Sequence, residues 1–475
     1  MVRDMTTGNS AKQILKFSLP LLIGTVFQQF YNMVDSIIVG KFLGTQPFAA
    51  VGMTGSITFF VLGLVFGACS GFAIPVAQDF GAHDEAGVRR CVANIIHIGV
   101  IFGLYPANQA EKLPPVELMQ DAYDYLFWIF LGIGSLMLYN LLAGILRSLG
   151  DGTTPLIFLI LSSLLNIGLD VLLVWTLNVG VKGAAIATVI AQLISGLGCL
   201  VFMIRKFPML RLTRKDLRPD LPTIRRLSGI GFPMGLQFSI TAIGSIILQK
   251  SVNALGTTII ASVSAAAKVQ NLVVSPMDAF GVSMATFAGQ NYGAGRIDRV
   301  RRGVRQVFWM LTAYSLLALG IVYFSGSTIA LLFVDASETE ILACTQHFLI
   351  MNGLFYIPLG VIYVLRNTLQ GVGFSKIAML SGLFELVARS VMGLFVVALD
   401  ENGQMYPRLI HWEDGKTYEV DRILDVRPAP AARAGGQGDR YTIRMNNQET
   451  HIFFEHNSDY GSAIPGRWFV ERREA

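Results

Sequence analysis

Apolar stretches, most of them long enough to cross a bilayer, follow one another from Ile14 to Leu399 and then stop. Their approximate limits are 14–39, 48–78, 91–105, 122–145, 155–177, 181–204, 224–249, 258–288, 303–324, 341–365 and 377–399. A helix needs roughly 20 apolar residues to span hydrocarbon, so the pattern predicts eleven spans. The third is short, with about 15 apolar residues before Pro106, and is expected to cross with local thinning of the bilayer. Beyond Leu399 the period changes. "KTYEVDRILDV", "RYTIRM", "HIFFEH" and "RWFVERR" alternate apolar and polar positions and are broken by "EDG", "AGGQGD" and "NSDYG". That pattern predicts short antiparallel strands with turns. Nothing from Asp400 onward has the length of a span.

The first half of the helical region returns in the second. Leu43-Gly44-Thr45 recurs as Leu255-Gly256-Thr257, and "QDFGA" at 78–82 recurs as "QNYGA" at 290–294. Arg89-Arg90 becomes Arg301-Arg302, Pro20 answers Pro233, and "ILRSLGDG" at 145–152 answers "VLRNTLQGVG" at 364–373. Several matches in order define a repeat. Both copies start on the same side, so the repeats are parallel, an architecture of transporters whose substrate path runs between the halves. The fold class expected is an all-α polytopic membrane protein of two lobes, about 6+5 helices, with a small β-rich C-terminal domain. The expected divisions are 1–13, a cytoplasmic N-terminus; 14–204, the first lobe; 205–223, a basic linker; 224–399, the second lobe without a twelfth helix; and 400–475, the β-rich tail.

Composition agrees with a membrane protein: 53% of the 475 residues are hydrophobic and 15% charged, against about a quarter charged in soluble domains. The net charge of +5 is not a nucleic-acid signal once its placement is read. With the N-terminus in the cytoplasm, the inner connections hold 21 Lys and Arg, among them Arg147, Arg366 and the run from Arg205 to Arg226. The outer ones hold four, Lys41, Lys112, Lys182 and Lys250. This is the positive-inside bias. Cys69, Cys91, Cys199 and Cys344 all lie in apolar spans and include no CxxC pair, which gives neither a disulfide framework nor a metal site. The first stretch runs through Pro20 without a small-residue cleavage site and reads as an uncleaved span.

Carboxylates within spans are costly and face the bundle interior or an aqueous cavity. Asp35 is the only ionisable residue between Phe17 and Gly40. Asn166 and Asp170 are four apart and share a helix face, and Thr188 in the next span adds a hydroxyl. Two carboxylates, an amide and a hydroxyl supply hard oxygen ligands for Na+, or a pair of acids holding one proton. The alternative is that Asp35 and Asp170 are satisfied packing acids. Pro20 breaks the first helix's hydrogen bonding, and Gln28, Tyr31 and Asn32 lie within two turns of Asp35, as cavity or coupling candidates. In the second half Asp278 is the one plausible mid-membrane acid. Glu385 and Arg389, spaced i, i+4, are expected to pair.

"QQFYNMVDSIIVGKFLG", "LRSLGDGTTP", "SSLLNIGLD" and "AGQNYGAG" together resemble the MATE multidrug and toxic-compound extrusion transporters, over residues 10 to about 398. The resemblance implies twelve helices in two six-helix lobes around a V-shaped cleft, and efflux of organic compounds driven by Na+ or H+. It also implies that Asp35, Asn166, Asp170 and Thr188 form the cation or proton site of the first lobe. The chain departs from the family in its short third span and its β-rich ending. The partners expected are a small amphipathic substrate and membrane lipid, with no nucleic acid. No cofactor is expected beyond the coupling ion, and the chain is expected to be a monomer in a bacterial-type inner membrane. Two other readings stand beside the antiporter: a lipid-linked saccharide flippase, which needs a cationic central cavity, and a non-transporting membrane protein displaying the tail.

Overall fold

The structure is a computed structural model. It describes residues 4–43, 45–110, 120–177, 179–253, 257–331, 334, 336, 338–394, 398–399, 405–406, 409–411, 417–430, 437–445, 448–456 and 466–469. Two compact units divide the chain, Met1–Gly393 and Leu394–Ala475, so the boundary falls a few residues before the composition change at Asp400.

The first unit is helical. Its first half comprises α1 (Ser10–Leu43), α2 (Thr45–Gly81), α3 (Glu85–Ala110), α4 (Gln120–Leu131), α5 (Ile133–Ser148), α6 (Thr153–Asp170) and α7 (Val181–Lys206). The second comprises α8 (Leu221–Asn253), α9 (Thr257–Gly293), α10 (Ile297–Ala330), α11 (Thr339–Leu354), α12 (Tyr356–Val372) and α13 (Ser375–Leu394). Six described helices are long and apolar enough to cross a membrane, and two bent pairs bring the number to eight. The pairs are the expected fourth and tenth spans, which are not single rods: α4 meets α5 at 49° and α11 meets α12 at 51°. The short third stretch lies within a helix of 26 residues, about 39 Å at 1.5 Å per residue. Its polar start extends the helix beyond the apolar core, so length does not prevent a crossing.

The bundle buries polar groups among its apolar core and exposes apolar side chains on its outer face. On α6, Ser162, Ser163, Asn166 and Asp170 are buried while Ile157, Leu161 and Leu164 are exposed. Large exposed apolar faces of this kind are unfavourable in water and suit a hydrocarbon solvent.

The halves interlock at the end where α1 begins. The start of α1 does not stay with its own lobe: Ile14 and Phe17, with Met5 before them, are buried in the second lobe's core beside Met284, Phe287 and Val300. Reciprocally, Leu227 at the start of α8 is buried in the first lobe's core with Val88, Cys91 and Leu210. Between them α2 and α9 cross so closely that only glycine fits. A Cβ on Gly81 would stand 1.9 Å from the carbonyl oxygen of Gln290, and one on Gly293 would stand 1.8 Å from that of Gln78. These four positions are two repeat-related pairs.

The two glutamines then tie each lobe to the other. Gln78 Nε2 donates to the Gly371 carbonyl at the end of α12 (3.1 Å), and its Oε1 accepts from Arg226 (3.0 Å). Gln290 Nε2 donates to the Ser148 carbonyl at the end of α5 (2.7 Å), and its Oε1 accepts from the Met5 amide (2.9 Å). Arg226 on α8 also pairs with Asp79 on α2 at 2.8 Å. The segment before α1 is no free tail: Arg299 donates to the carbonyls of Met5, Thr7 and Gly8, and Arg296 to that of Thr6.

The second unit is all β among its described residues. Two short hairpins, β1 (Ala398–Leu399) with β2 (Met405–Tyr406) and β3 (Leu409–His411) with β4 (Thr417–Glu419), precede a four-stranded antiparallel meander. That sheet runs β5 (Arg422–Pro430), β6 (Gln437–Met445), β7 (Gln448–His456) and β8 (Gly466–Phe469), with a bulge between Ile423 and Asp425. Tyr441, Ile443, Ile452 and Phe454 bury one face with Val420, Ile423 and Val426. The alternation seen in the sequence is therefore a sheet with one packed face.

Candidate functional site

The polar interior of the first lobe is built from α6 and α7. Asn166 and Asp170, four apart, both point inward and are 2% and 0% exposed. Asn166 Nδ2 donates to Thr188 Oγ1 at 3.2 Å, and that hydroxyl donates to the Ala184 carbonyl of its own helix at 3.1 Å. The threonine is thereby held facing α6. Asp170 stands where α6 gives way to a π-helical turn, Val171–Thr176. Such turns displace side chains from the regular helical face and recur at functional sites.

Asp35, Tyr31 and Asn32 belong to α1, but their side chains lie outside the described residues. The course of α1 is informative even so. Ile38, one turn past Asp35, is buried against Val174 and Ala184, with Ile167 and Val171 packed around them. The same stretch of α6, its π-helical continuation and α7 carries Asn166, Asp170 and Thr188. The backbone thus brings α1 near Asp35 to this cluster. Among the described residues no three His, Cys, Asp or Glu side chains converge as a metal centre would require. The donors here are oxygens of mixed type, suited to a hard monovalent ion or a proton rather than a transition metal.

The remaining candidates divide. Gln28 is exposed on α1, and Pro20 lies within the continuous helix, where Ser18 Oγ donates to the Leu15 carbonyl at 3.0 Å. Glu385 and Arg389 pair on α13, and Glu385 also lies 3.8 Å from Arg366 of α12. Arg389 reaches across to Ser245 Oγ of α8 at 3.1 Å. This network ties three helices of one lobe together. Asp278, half-buried on α9, lies within electrostatic reach of Arg366 and of Arg147 from the opposite lobe.

Those two arginines were read in the sequence as loop charges, and the structure places them near the ends of helices instead. Arg147 lies inside α5 and Arg366 inside α12. Their positions in the repeated "LR" pairs were the signal that distinguished them from loop charges. An apolar cavity of about 780 Å³ between α3, α5 and α7 is lined by residues such as Val92, Leu138 and Leu200 and contains none of the candidate site residues.

Two repeated lobes of membrane-spanning helices, sealed together at one end and carrying buried polar groups within the spans, define a secondary transporter. The family described as MatE matches residues 20–107, 110–172 and 233–395, and the chain belongs to it. It is 27% identical over 380 residues to the probable multidrug resistance protein YpnP of Bacillus subtilis (strain 168), covering 78% of this chain and 84% of the relative. Its identity to the probable multidrug resistance protein NorM of Thermotoga maritima is 25% over 377 residues, 76% and 80% of the two chains. The fold is similar to that in a crystal structure of MATE in complex with MaL6, with a TM-score of 0.76, 21% identity, and coverage of 82% and 91%. The protein is a multi-pass plasma-membrane protein of a transporter family.

Proposed function

We propose that the protein is a secondary antiporter that exports amphipathic or cationic organic compounds in exchange for Na+ or H+. The ion enters through Asp35, Asn166, Asp170 and Thr188. The observation that carries this reading is the buried cluster of Asp170, Asn166 and Thr188 beside α1. A carboxylate taken out of water at that depth is stabilised by a bound cation or neutralised by a proton. Either event removes negative charge between α1 and α6 and changes how the first lobe packs. The coupling is reciprocal: the ion and the substrate favour different lobe arrangements, so each lowers the protein's affinity for the other by the same factor.

The N-terminus is cytoplasmic in this reading, because the paired-arginine connections and the linker between the lobes share its side. The interlocked end is then the inner gate, and the cleft is closed toward the cytoplasm. The transporter works as a monomer surrounded by lipid, without a cofactor or nucleic-acid partner. Proteoliposomes loaded with a fluorescent cationic dye test the proposal under imposed Na+ and H+ gradients applied separately. Gradient-driven dye movement is expected for the native chain, and its loss in Asp35→Asn and Asp170→Asn. Full retention of gradient coupling in both variants would refute the site, and the gradient that drives the native chain names the ion.

A further inference from the structure

We propose that the first lobe binds an anionic phospholipid, with an acyl chain in the groove between α3, α5 and α7 and the phosphate at the cations where α7 ends. The site faces the membrane and is independent of the transport reading above. Three observations carry it.

The first is the shape and lining of the groove. Its volume is about 780 Å³, within the roughly 300–1,000 Å³ of small-molecule sites. Ser135 and Arg211 are the only polar side chains that line it. Both α3 and α7 pack on α5, which forms the floor. The rim residues Ile96, Val100 and Leu193 are exposed, so the groove opens on the lobe's lipid-facing surface. Its lining runs from Leu193 to Ile204 along α7 and from Gly134 to Ile145 along α5, about 16 Å in each case at 1.5 Å per residue. One leaflet of a bilayer's hydrocarbon core is about 15 Å deep. The groove therefore has the length of an acyl chain's path from headgroup to midplane.

The second is the charge at one end. Leu210, Arg211 and Leu212 close the groove just past the end of α7. Arg211 Nε lies 3.5 Å from the Ile204 carbonyl oxygen, which sets the guanidinium beside the last turn of that helix. A second cavity of about 580 Å³, lined by Phe158 of α6 and by Gly198 and Phe202 of α7, runs out at Arg205 and Lys206. Between residues 205 and 218 six cations stand against one acid, Asp216. Lys206 pairs with Asp151 at 3.4 Å. Arg205, Arg211, Arg214, Lys215 and Arg218 are exposed and make no ion pair within 4 Å among the described residues.

The third is chemistry. An apolar groove of leaflet depth that ends in unpaired cations is complementary to a molecule with hydrocarbon at one end and negative charge at the other. Basic sites at the ends of spanning helices hold the headgroups of anionic lipids. A guanidinium adds a planar fork that matches phosphate through two parallel hydrogen bonds. Cationic amphipaths are repelled at the same end.

The test is native mass spectrometry of the purified full chain in detergent, titrated with dioleoyl phosphatidylglycerol or dioleoyl phosphatidylcholine. The two lipids share their chains and differ in net charge. The native chain is expected to bind phosphatidylglycerol roughly 10-fold or more tightly, and Arg205→Gln/Arg211→Gln to abolish that preference while leaving phosphatidylcholine binding as it was. Ile96→Trp, which fills the groove from its rim, is expected to weaken both lipids. Arg301→Gln/Arg302→Gln removes two exposed cations of the second lobe and is expected to keep the preference. Melting curves without added lipid report that each variant is folded, and Arg211→Gln alone, expected to lose part of the preference, serves if the double variant is not. Equal binding of the two lipids by the native chain would mean ordinary boundary lipid only and overturn the site. So would a loss of preference in Arg301→Gln/Arg302→Gln as large as that in Arg205→Gln/Arg211→Gln, which assigns the effect to general surface charge. Displacement of phosphatidylglycerol by an equal concentration of glycerophosphoglycerol, the headgroup without chains, would remove the groove from the site. Displacement by an equal concentration of rhodamine 6G would give the groove to cationic amphipaths and overturn the lipid assignment.

Discussion

Adding one methyl group at the crossing of α2 and α9 should open the sealed end of the bundle. A Cβ at Gly293 would lie 1.8 Å from the Gln78 carbonyl oxygen and one at Gly81 would lie 1.9 Å from that of Gln290. Ordinary carbon–oxygen contact is near 3.4 Å, so the two backbones must separate by about 1.5 Å, since packed interiors do not compress. The hydrogen bond of 3.1 Å from Gln78 to Gly371 and that of 2.7 Å from Gln290 to Ser148 would then exceed bonding distance. Two bonds at about 1 kcal/mol each, with about 1 kcal/mol or more for overpacking, weaken closure by about 3 kcal/mol. That is on the order of a 100-fold shift toward the open arrangement. The double variant Gly81→Ala/Gly293→Ala should cost little more than either single, because one separation relieves both clashes. Spin labels at Arg90 and Arg302, both exposed at this end, read the lobe separation by pulsed dipolar spectroscopy. Cys69, Cys91 and Cys199 are buried and Cys344 alone is partly accessible, so Cys344→Ser suffices as background. Unchanged distance distributions in all three variants, at native thermal stability, would refute the close-crossing gate.

Three further outcomes follow from the same contacts. Asn166→Ala should abolish ion-coupled transport while costing about 1 kcal/mol of stability, whereas Thr188→Ser, which keeps the hydroxyl, should retain coupling; a gradient assay in proteoliposomes with a melting curve checks both, and a coupled Asn166→Ala variant would refute the role. Arg299→Gln removes the bonds to Met5, Thr7 and Gly8 and should lower the hydrogen-exchange protection of residues 5–8 by roughly 10-fold or more, so unaltered protection would show that the strap is held otherwise. Burial alone would raise the Asp4 carboxyl, but the hydrogen bonds that Thr6 donates from its hydroxyl and amide outweigh it and hold the group below 3.8; a depressed folded value means that the stabilisation is full above the unfolded value and is lost as pH falls through the folded one, so protection of the strap should be constant from pH 5 to 7 and fall below about 3.8, while Asp4→Asn should lack it already at pH 7.

The helical architecture was legible because a lipid solvent writes it plainly: apolar length gives spans, and the recurrence of "QDFGA" as "QNYGA" gives the repeat. What local pattern could not carry was geometry set by contacts far apart in sequence. The bends at Gly132 and Phe355 interrupt runs that read as single spans, since each half is apolar on both sides of the break. The strap before α1 looked like a polar tail because its partners, Gln290, Asn291 and Arg299, lie nearly 300 residues away. In the tail, by contrast, strand pairing is local and period 2 is explicit, so β5 to β7 fall where the alternating segments lie.

The site shows the same division more sharply. Asn166, Asp170 and Thr188 were found because each is polar where its surroundings are apolar, and a spacing of four is enough to put two of them on one face. Arg147 and Arg366 are equally anomalous once their helices are known, yet they sit close enough to span ends to be counted among topology charges. A charge near a membrane boundary has two explanations with the same local sequence, a loop cation that orients the span or an interior cation that holds a ligand. The helix must be followed to its last residue to separate them. Arg366 lies six residues before Val372, more than a turn and a half inside α12, whereas Arg147 is the penultimate residue of α5. Both arginines adjoin helix ends held by glutamines of the opposite lobe, Ser148 by Gln290 and Gly371 by Gln78, so the repeat ties the two of them to the interlocked end of the bundle.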